Sequence, residues 1–452
     1  MSNAQRAEER AETGIESDAE MGGAFPSQVE RIERLKPPQA RAVIEALRKG
    51  SVPIDYVPLF TVGRTHWLRY LEDDLDQYIS EGGAKVRFIN GDYGDGKTHF
   101  MSVVQHLALS RGFAVSFVVL TREVPIHKFE LVYQEIVRNL RGRFEGMGIR
   151  RLVEAWIDGL GPSLTAPDGL PFADRLAVLS DALRALPGMD LNFANALVGL
   201  VDQRYSPLID RETPEDRAQA RETLFQWLEG SRVSKSDLKP FQVFELLNKL
   251  NSKRMLASLI AFLRSGGHPG VVLLMDELET VLVQSGTVRN AAWENVRLFI
   301  DNTEHAQYLH MFFSIIPDVL LSEKGFRSYD ALWSRVRSVG EGKRLNFRSV
   351  LIDLHRTPLE TRELIELGVL LRRIHEISYR WEARELVTDV LIEKVCNVQK
   401  KMGMLTEVRL FIKQLIRLLD MAEQGAVPEE EADLVGQIQE SQREIEREKV
   451  EH

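Results

Sequence analysis

Hydrophobic residues follow two different spacings along the chain, and together they predict a sheet enclosed by helices. Apolar runs predict strands over 85–90, 113–120, 270–275 and 309–315. Runs without polar alternation are typical of parallel strands that are buried on both faces. Between the runs, apolar residues recur every three or four positions, which predicts amphipathic helices. Strands that alternate with helices in this way indicate an α/β fold with a parallel sheet and right-handed crossovers.

The predicted helices are unevenly distributed. One covers 65–80, where Leu68, Leu71, Leu75 and Ile79 share a face before a Gly-Gly stop. Almost everything from 130 to 263 has helical spacing, and a final helical block covers 358–423. The sheet is therefore predicted to carry a long helical segment between its second and third strands.

A glycine-rich segment follows the first predicted strand. Gly91-Asp92-Tyr93-Gly94-Asp95-Gly96-Lys97-Thr98 matches the pattern G-x-x-x-x-G-K-S/T. In such a phosphate loop, backbone amides turn around phosphate oxygens, Lys97 reaches the β- and γ-phosphates, and the Thr98 hydroxyl binds Mg²⁺. The alternative is a loop that only joins a strand to a helix. A strand before it and a helix after it favour the phosphate loop, and we include the adjoining His99 among the nucleotide contacts.

The third predicted strand ends in two acids, Asp276 and Glu277. At the carboxyl end of a neighbouring strand, Asp276 would reach the Mg²⁺ of the phosphate loop. Glu277 would polarise the attacking water as a general base. Glu279, further on, is expected to be solvated or to support these two acids. The alternative is a strand that simply ends in a polar turn, which the phosphate loop disfavours.

Motifs that are missing from the sequence indicate which base the bound nucleotide carries. A GTPase would carry N-K-x-D after a later strand, and the nearest match, 248–251, lacks the acid and precedes the acidic strand. Adenine is therefore favoured. The transporter signature L-S-G-G-Q is also missing, because the Ser-Gly-Gly at 265–267 lies in a turn.

Three further residues are candidates for sensing the nucleotide. Ser314, near the end of the fourth strand, would contact the γ-phosphate or the water, or else be satisfied within the sheet. Arg335 is a candidate finger toward a neighbouring subunit, with Arg337 and an ordinary surface role as alternatives. Arg409 lies in the first turn of an amphipathic helix, where a cation is unfavourable for the helix dipole. That placement favours a role directed at phosphate.

Composition and charge exclude several protein classes. The 452 residues are 44% hydrophobic and 28% charged, which excludes a disordered or collagenous chain. The net charge of −9 is concentrated at the ends, with −4 over 1–24 and −6 over 428–452. A single cysteine, Cys396, excludes an internal disulfide and indicates a reducing compartment. With no signal peptide and no apolar run long enough for a membrane span, we expect a cytoplasmic protein.

With these residues in place, the chain resembles an AAA+-type P-loop ATPase of the initiator and STAND type. It is also similar to the bacterial BREX-system ATP-binding family (BrxC/BrxD-like), a phage-defence group. The second resemblance rests on RAVIEALRKGSVP, FTVGR, GGAKVRFINGDYGDGKTHF and VVLLMDELETVL, and it covers about 42–420.

The resemblance implies a role for each matching residue. Gly63 and Arg64 would lie near the adenosine, and 91–98 would hold the phosphates. Asp276 and Glu277 would be the metal and catalytic acids, with ATP and Mg²⁺ as cofactors. Ser314 would be the first sensor, Arg335 the finger and Arg409 the lid sensor. Asp95 departs from the family pattern, because it adds negative charge beside the phosphates.

The same resemblance divides the chain. Because Lys97 and Asp276 are 179 positions apart, far beyond the ~30 residues of a βαβ unit, an insertion must fill the space. We predict a disordered acidic tail (1–28), a nucleotide-binding core in two parts (29–145 and 252–348), a helical insertion (146–251), a helical lid (349–426) and a second acidic tail (427–452).

The predicted function is ATP hydrolysis by an oligomeric protein in an anti-phage or DNA-associated complex. A nucleotide-gated signalling scaffold with slow turnover and an initiator-type or helicase-loader ATPase are the alternatives. Two basic clusters could contact DNA, although solvated surfaces explain such clusters more often. They comprise Arg138, Arg141, Arg143, Arg150 and Arg151, and Lys343, Arg344 and Arg348.

Overall fold

The computed structural model describes residues 27–166, 170–207, 213–302, 306–337, 345–404, 407–426 and 431–451. It is a mixed α/β protein, mostly helical, with a six-stranded sheet. The strands are β1 (Ala84–Asn90), β2 (Ala114–Val119), β3 (Leu140–Arg141), β4 (Val271–Asp276), β5 (Leu309–Ile315) and β6 (Leu351–Asp353).

The helices up to β4 are α1 (Gln28–Glu33), α2 (Pro37–Arg48), α3 (Thr65–Asp74), α4 (Lys97–Ser110), α5 (Phe129–Arg138), α6 (Ile149–Leu164), α7 (Phe172–Arg184), α8 (Leu191–Tyr205), α9 (Pro214–Leu228), α10 (Lys235–Leu238) and α11 (Ser252–Ser265). After β4 come α12 (Gly286–Ile300), α13 (Pro317–Leu321), α14 (Asp330–Val336), α15 (Thr361–Tyr379), α16 (Ala383–Leu386), α17 (Asp389–Lys401), α18 (Val408–Glu423) and α19 (Glu431–Glu451).

The strands lie in the order β3-β2-β4-β5-β1-β6, and all neighbours are parallel except β2 and β3. Asn90 pairs with Ile315, and Met275 pairs with Phe313, so β1, β4 and β5 end at the same edge. The four strands expected from the sequence are present within one residue at each end. β3 and β6 were not anticipated, since two and three residues give no usable pattern.

Two apolar layers enclose the sheet. One face, with Ile89 and Phe312, packs against α3 and α4. The other face, with Phe88 and Phe313, shares a continuous buried cluster with α5, α11, α12 and the helices between 149 and 238. The helices in the predicted insertion range therefore extend the core of the sheet.

The C-terminal helices form a separate apolar cluster, and two predicted boundaries need correction there. β6 pairs with β1, so 351–353 belong to the sheet although the predicted lid began at 349. α1 and α2, placed by sequence in the nucleotide-binding core, pack with α15, α17 and α18 instead. We use the name lid cluster for α1, α2 and α15–α18.

The predicted acidic tail at 427–452 is also corrected, because α19 packs onto the lid cluster. Leu434, Ile438 and Ile445 are almost fully buried, the latter two against Val398 and Leu410. An apolar stripe at helical spacing thus runs through a segment that charge alone marks as solvated. The other predicted tail, 1–28, lies outside the described residues except for its last two positions, where Ser27 caps α1.

Candidate functional site

A cavity of about 870 Å³ opens where β1 and β4 end, between the sheet and the lid cluster. Its walls bring together most of the residues that the sequence analysis selected. These are Gly63, Arg64, Tyr93, Gly94, Asp95, Gly96, Lys97, Thr98, His99, Asp276, Glu277 and Arg409. Gly91, Asp92, Ser314 and Arg335 do not line it.

The glycine-rich loop turns into α4 through two left-handed glycines. Gly94 has φ +95° and Gly96 has φ +86°, conformations that glycine adopts without steric cost. Lys97, the first residue of α4, is buried, and its ammonium donates to the carbonyls of Gly91 (3.0 Å) and Asp92 (3.1 Å). The ammonium also lies 5.1 Å from the ring centre of Tyr93. A phosphate that enters the loop would replace these weaker carbonyl acceptors as the hydrogen-bond partner of the Lys97 ammonium.

Hydrogen bonds join the loop to the ends of β4 and β5. The Thr98 hydroxyl donates to Oδ2 of Asp276 at 2.8 Å. The Ser314 hydroxyl donates to Oδ1 of the same carboxylate and accepts the amide of Glu277 at 2.9 Å. Ser314 is fully buried, so in this structure it positions Asp276 and does not face the cavity.

The chain changes direction sharply after Asp276. Glu277 has a left-handed backbone (φ 62°, ψ 44°), and a 3₁₀ turn, Leu278–Val281, follows. Leu278 and Val281 anchor this turn in the core. The turn exposes Glu277 and buries Glu279 to 9% exposure in the cavity wall. Burial raises the pKa of Glu279 to about 7, although nearby Lys97 opposes the shift.

Arg64 and His99 brace the loop from the other side. Arg64 adopts a left-handed conformation (φ 55°) and donates from Nη2 to the carbonyl of Asp95 at 2.9 Å. Burial lowers the pKa of Arg64 to about 10. His99 Nε2 lies 3.2 Å from the Thr61 hydroxyl, which itself donates to Val57 O. Burial, with help from Arg64, lowers the pKa of His99 to about 3, so this imidazole is neutral.

Arg409 reaches the loop from the lid cluster. A Cβ built on Gly50 would lie 2.4 Å from Arg409 Nη2, and one on Gly94 would lie 3.3 Å from Arg409 Cβ. Arg409 therefore lies between the end of α2 and the phosphate loop. Gly63 makes a similar close approach, because its Cβ would lie 2.5 Å from Glu363 Oε1 on α15.

Asp95 lines the cavity, and its carboxylate is held by neighbouring groups. Its Oδ2 accepts the amide of Asp92 at 2.7 Å and lies 3.4 Å from His355 Nε2. Burial raises the pKa of Asp95, while the Asp92 amide opposes that shift. The unusual acid of the loop is thus held by its own backbone and by the segment after β6.

Arg335 does not line the cavity. Its guanidinium forms a two-pronged ion pair with Asp301, with Nη2 to Oδ2 at 2.9 Å, and it lowers the pKa of that carboxyl. Within one chain Arg335 therefore does not reach the loop, and any finger role requires a second subunit.

The basic clusters are largely internally paired. Arg141 contacts Asp55 at 2.6 Å, Arg150 contacts Glu222 at 2.6 Å, and Arg348 contacts Asp73 at 2.7 Å. Arg138 pairs with Glu135, and Arg151 donates to a carbonyl. Lys343 and Arg344 lie outside the described residues. DNA phosphates would have to compete with these ion pairs, which weakens the DNA interpretation.

Glu279 is a buried residue of the cavity wall, whereas the sequence predicted a solvated or supporting acid. Gly50 and His355 were not predicted as site residues. The sequence at 276–279 could have indicated the position of Glu279. Its hydrophobic residue, Leu278, lies in the core and separates Glu277 from Glu279 on a short turn. Gly50 and His355 carry no local signal, since their role depends on contacts with distant segments.

The residues fit a magnesium nucleotide. A hydroxyl and a carboxylate oxygen 2.8 Å apart are the hard oxygen ligands that Mg²⁺ prefers. The loop glycines leave room for phosphate, and Oε2 of Glu279 is buried in the wall without a hydrogen-bond partner. Thr98 and Asp276 would hold the metal, and Lys97 would face the phosphates.

Comparison with known proteins agrees with this site. The family model described as BREX system ATP-binding protein BrxC/D matches residues 35–436. No curated protein and no solved structure matches the chain. None of the helices in the described ranges is long and apolar enough to cross a bilayer. Since the match covers the sheet, the cavity and all of the lid cluster except α1, the chain belongs to the BREX system ATP-binding protein BrxC/D family.

Proposed function

We propose that this ATP-binding phage-defence protein is a P-loop ATPase of the AAA+ type that hydrolyses ATP with Mg²⁺. One observation carries the proposal: the phosphate-loop Thr98 and the strand-ending Asp276 are hydrogen-bonded at the edge of one cavity. The strand order supports it, because β5 separates the loop-bearing β1 from the acidic β4, as in P-loop ATPases that carry an additional strand.

The residues of the cavity would have different roles in ATP hydrolysis. Lys97 would balance charge on the β- and γ-phosphates, and bound Mg²⁺ would supply further charge neutralisation at Thr98 and Asp276. Glu277, exposed at the cavity, would orient and polarise the water. Gly63, Arg64 and His99 would lie on the adenosine side, with Arg409 responding to nucleotide from the lid cluster.

Assembly is part of the proposal. Since Arg335 does not reach the loop of its own chain, it would act on the nucleotide of a neighbouring subunit in a homo-oligomer. Membership of the family implies other defence-complex proteins as partners. The work would take place in the cytoplasm, where the buried Cys396 stays reduced.

The deciding experiment compares the wild type with Glu277→Gln and Lys97→Ala. We expect Glu277→Gln to bind Mg·ATP in calorimetry but to release no phosphate, and Lys97→Ala to lose binding. Lys128→Ala, which removes an exposed lysine remote from the cavity, is the control. Wild-type protein that binds no Mg·ATP would refute the proposal.

The same assay separates the motor from the nucleotide-gated scaffold and the loader. Turnover that rises with duplex DNA or partner proteins supports the motor. Tightly held ADP with slow exchange supports the scaffold. A ring that assembles around DNA only with ATP supports the loader.

A further inference from the structure

Glu279 is the buried acid of the cavity. Its side chain is 9% exposed, and Oε2 has no hydrogen-bond partner. Leaving a buried carboxyl oxygen unpaired is energetically costly, so such a group is expected to serve a purpose. Since Glu279 lines the same cavity as Lys97 and Thr98, its carboxyl group lies in the wall beside any molecule bound there.

The backbone explains why Glu279 occupies this place. The left-handed Glu277 reverses the chain directly after β4, and Leu278 and Val281 fix the turn in the core. The amide of Leu282 donates to the carbonyl of Glu279 at 2.9 Å, which closes the turn. The carboxyl is therefore held by a rigid turn and not by a mobile loop.

Charged groups on several elements surround Glu279. Lys97, on α4, favours its ionised form, whereas Asp276 and Glu277, at the end of β4, oppose ionisation. Burial raises the pKa of the Tyr93 phenol, and the nearby carboxylates of Glu279, Glu277 and Asp318 raise it further. A carboxyl in this setting changes protonation near neutral pH, which is the property required of a proton acceptor.

We propose that Glu279 is a further catalytic residue, the carboxylate that receives the proton of the attacking water. The inference rests on the proposed ATPase function. The water oxygen forms a bond to the γ-phosphorus, and the bond from that phosphorus to the β,γ-bridging oxygen breaks, with its electron pair leaving on ADP. The water proton moves to the carboxylate of Glu279 and is later released to solvent. Glu277 orients the water, and Glu279 takes its proton.

The test compares full-length wild type, Glu279→Gln, Glu279→Asp and Glu130→Gln. Glu130 is the matched control, because its Oε2 is also buried without a partner but it does not line the cavity. We expect Glu279→Gln to lower kcat about 100-fold while KM for ATP changes less than threefold. Glu279→Asp should keep part of the rate, and Glu130→Gln should match the wild type.

The pH profile gives a second readout that a purely structural role would not change. Wild-type kcat should rise through an inflection near pH 7 as Glu279 ionises, and Glu279→Gln should lose that inflection. Thermal unfolding verifies that each variant is folded, and Glu279→Asp replaces the glutamine variant if the latter is not. A Glu279→Gln variant with wild-type kcat and an unchanged profile would overturn the inference. Failure of the proposed function is recognised separately, in wild-type protein that does not hydrolyse ATP.

Discussion

The hydroxyl of Thr98 donates to Oδ2 of Asp276 at 2.8 Å, although the two residues are 178 positions apart in the chain. The described part of the chain between them contains seven helices, α5 to α11, and the strands β2 and β3. The hydrogen bond therefore fixes the positions of Thr98 and Asp276, the two proposed metal ligands, relative to each other. Such preorganisation lowers the cost of ordering the ligands around a cation.

Replacing Ser314 by Ala tests the support of Asp276. The change removes a donor to Oδ1 and an acceptor for the Glu277 amide, so we expect stability to fall by about 1–2 kcal/mol. The Mg²⁺ concentration for half-maximal ATP hydrolysis should also rise severalfold. Ser116→Ala, a buried serine on β2 that donates to Ile136 O, should lose comparable stability without changing the Mg²⁺ requirement. Equal Mg²⁺ curves for both variants would contradict the positioning role.

Glu279 should make the nucleotide-free protein less stable as the pH rises. Its pKa is raised from 4.5 to about 7, so the folded state favours the protonated form. Protonated Glu279 therefore makes the free energy of unfolding larger than ionised Glu279 does, by on the order of 3 kcal/mol. This contribution is fully present below pH 4.5 and is lost as the pH rises through 7. Denaturant unfolding at pH 5 and pH 8 should therefore show the wild type losing stability relative to Glu279→Gln. A difference that is the same at both pH values would contradict this assignment.

Gly50→Ala should disturb Arg409. The new Cβ would meet Arg409 Nη2 at 2.4 Å, and φ +71° is unfavourable for alanine, so we expect a loss of about 1–3 kcal/mol. The guanidinium must leave its present position beside Gly50, which should reduce the rise in Tm caused by ATP. Gly159→Ala is the control, because its Cβ would meet nothing within 4 Å and alanine favours a helix. If ATP raises the Tm of Gly50→Ala as much as that of the wild type, Arg409 does not contribute to nucleotide binding.

The ion pair between Arg335 and Asp301 allows a test of the finger. Both Arg335→Ala and Asp301→Asn break the pair, and Asp301→Asn also breaks the ion pair with Arg297, so a purely structural arginine predicts that Asp301→Asn is at least as damaging as Arg335→Ala. A finger predicts loss of hydrolysis in Arg335→Ala alone, with ATP binding retained. Mixing Arg335→Ala with Lys97→Ala subunits should then restore part of the activity, because each supplies what the other lacks. If mixing restores nothing, Arg335 does not act between subunits.

The sequence predicted the phosphate loop, the acid-ended strand and the parallel sheet because these depend on local patterns. It could not place Glu279, because its burial follows from the left-handed backbone of Glu277, which no neighbouring glycine announces. The close approach of Gly50 to Arg409 depends on segments far apart in the chain. α19 was missed because Leu434, Ile438 and Ile445 stand among many charges, and only a partner surface shows which side of that helix is buried.

The attachment of α19 to the lid cluster has a practical consequence. A fluorophore placed near the end of this 21-residue helix would travel with the lid cluster, since Ile438 and Ile445 fasten the helix to Val398 and Leu410. Energy transfer to a second dye on the surface of α8 would then report whether the distance between the two parts of the molecule changes when Mg·ATP is added.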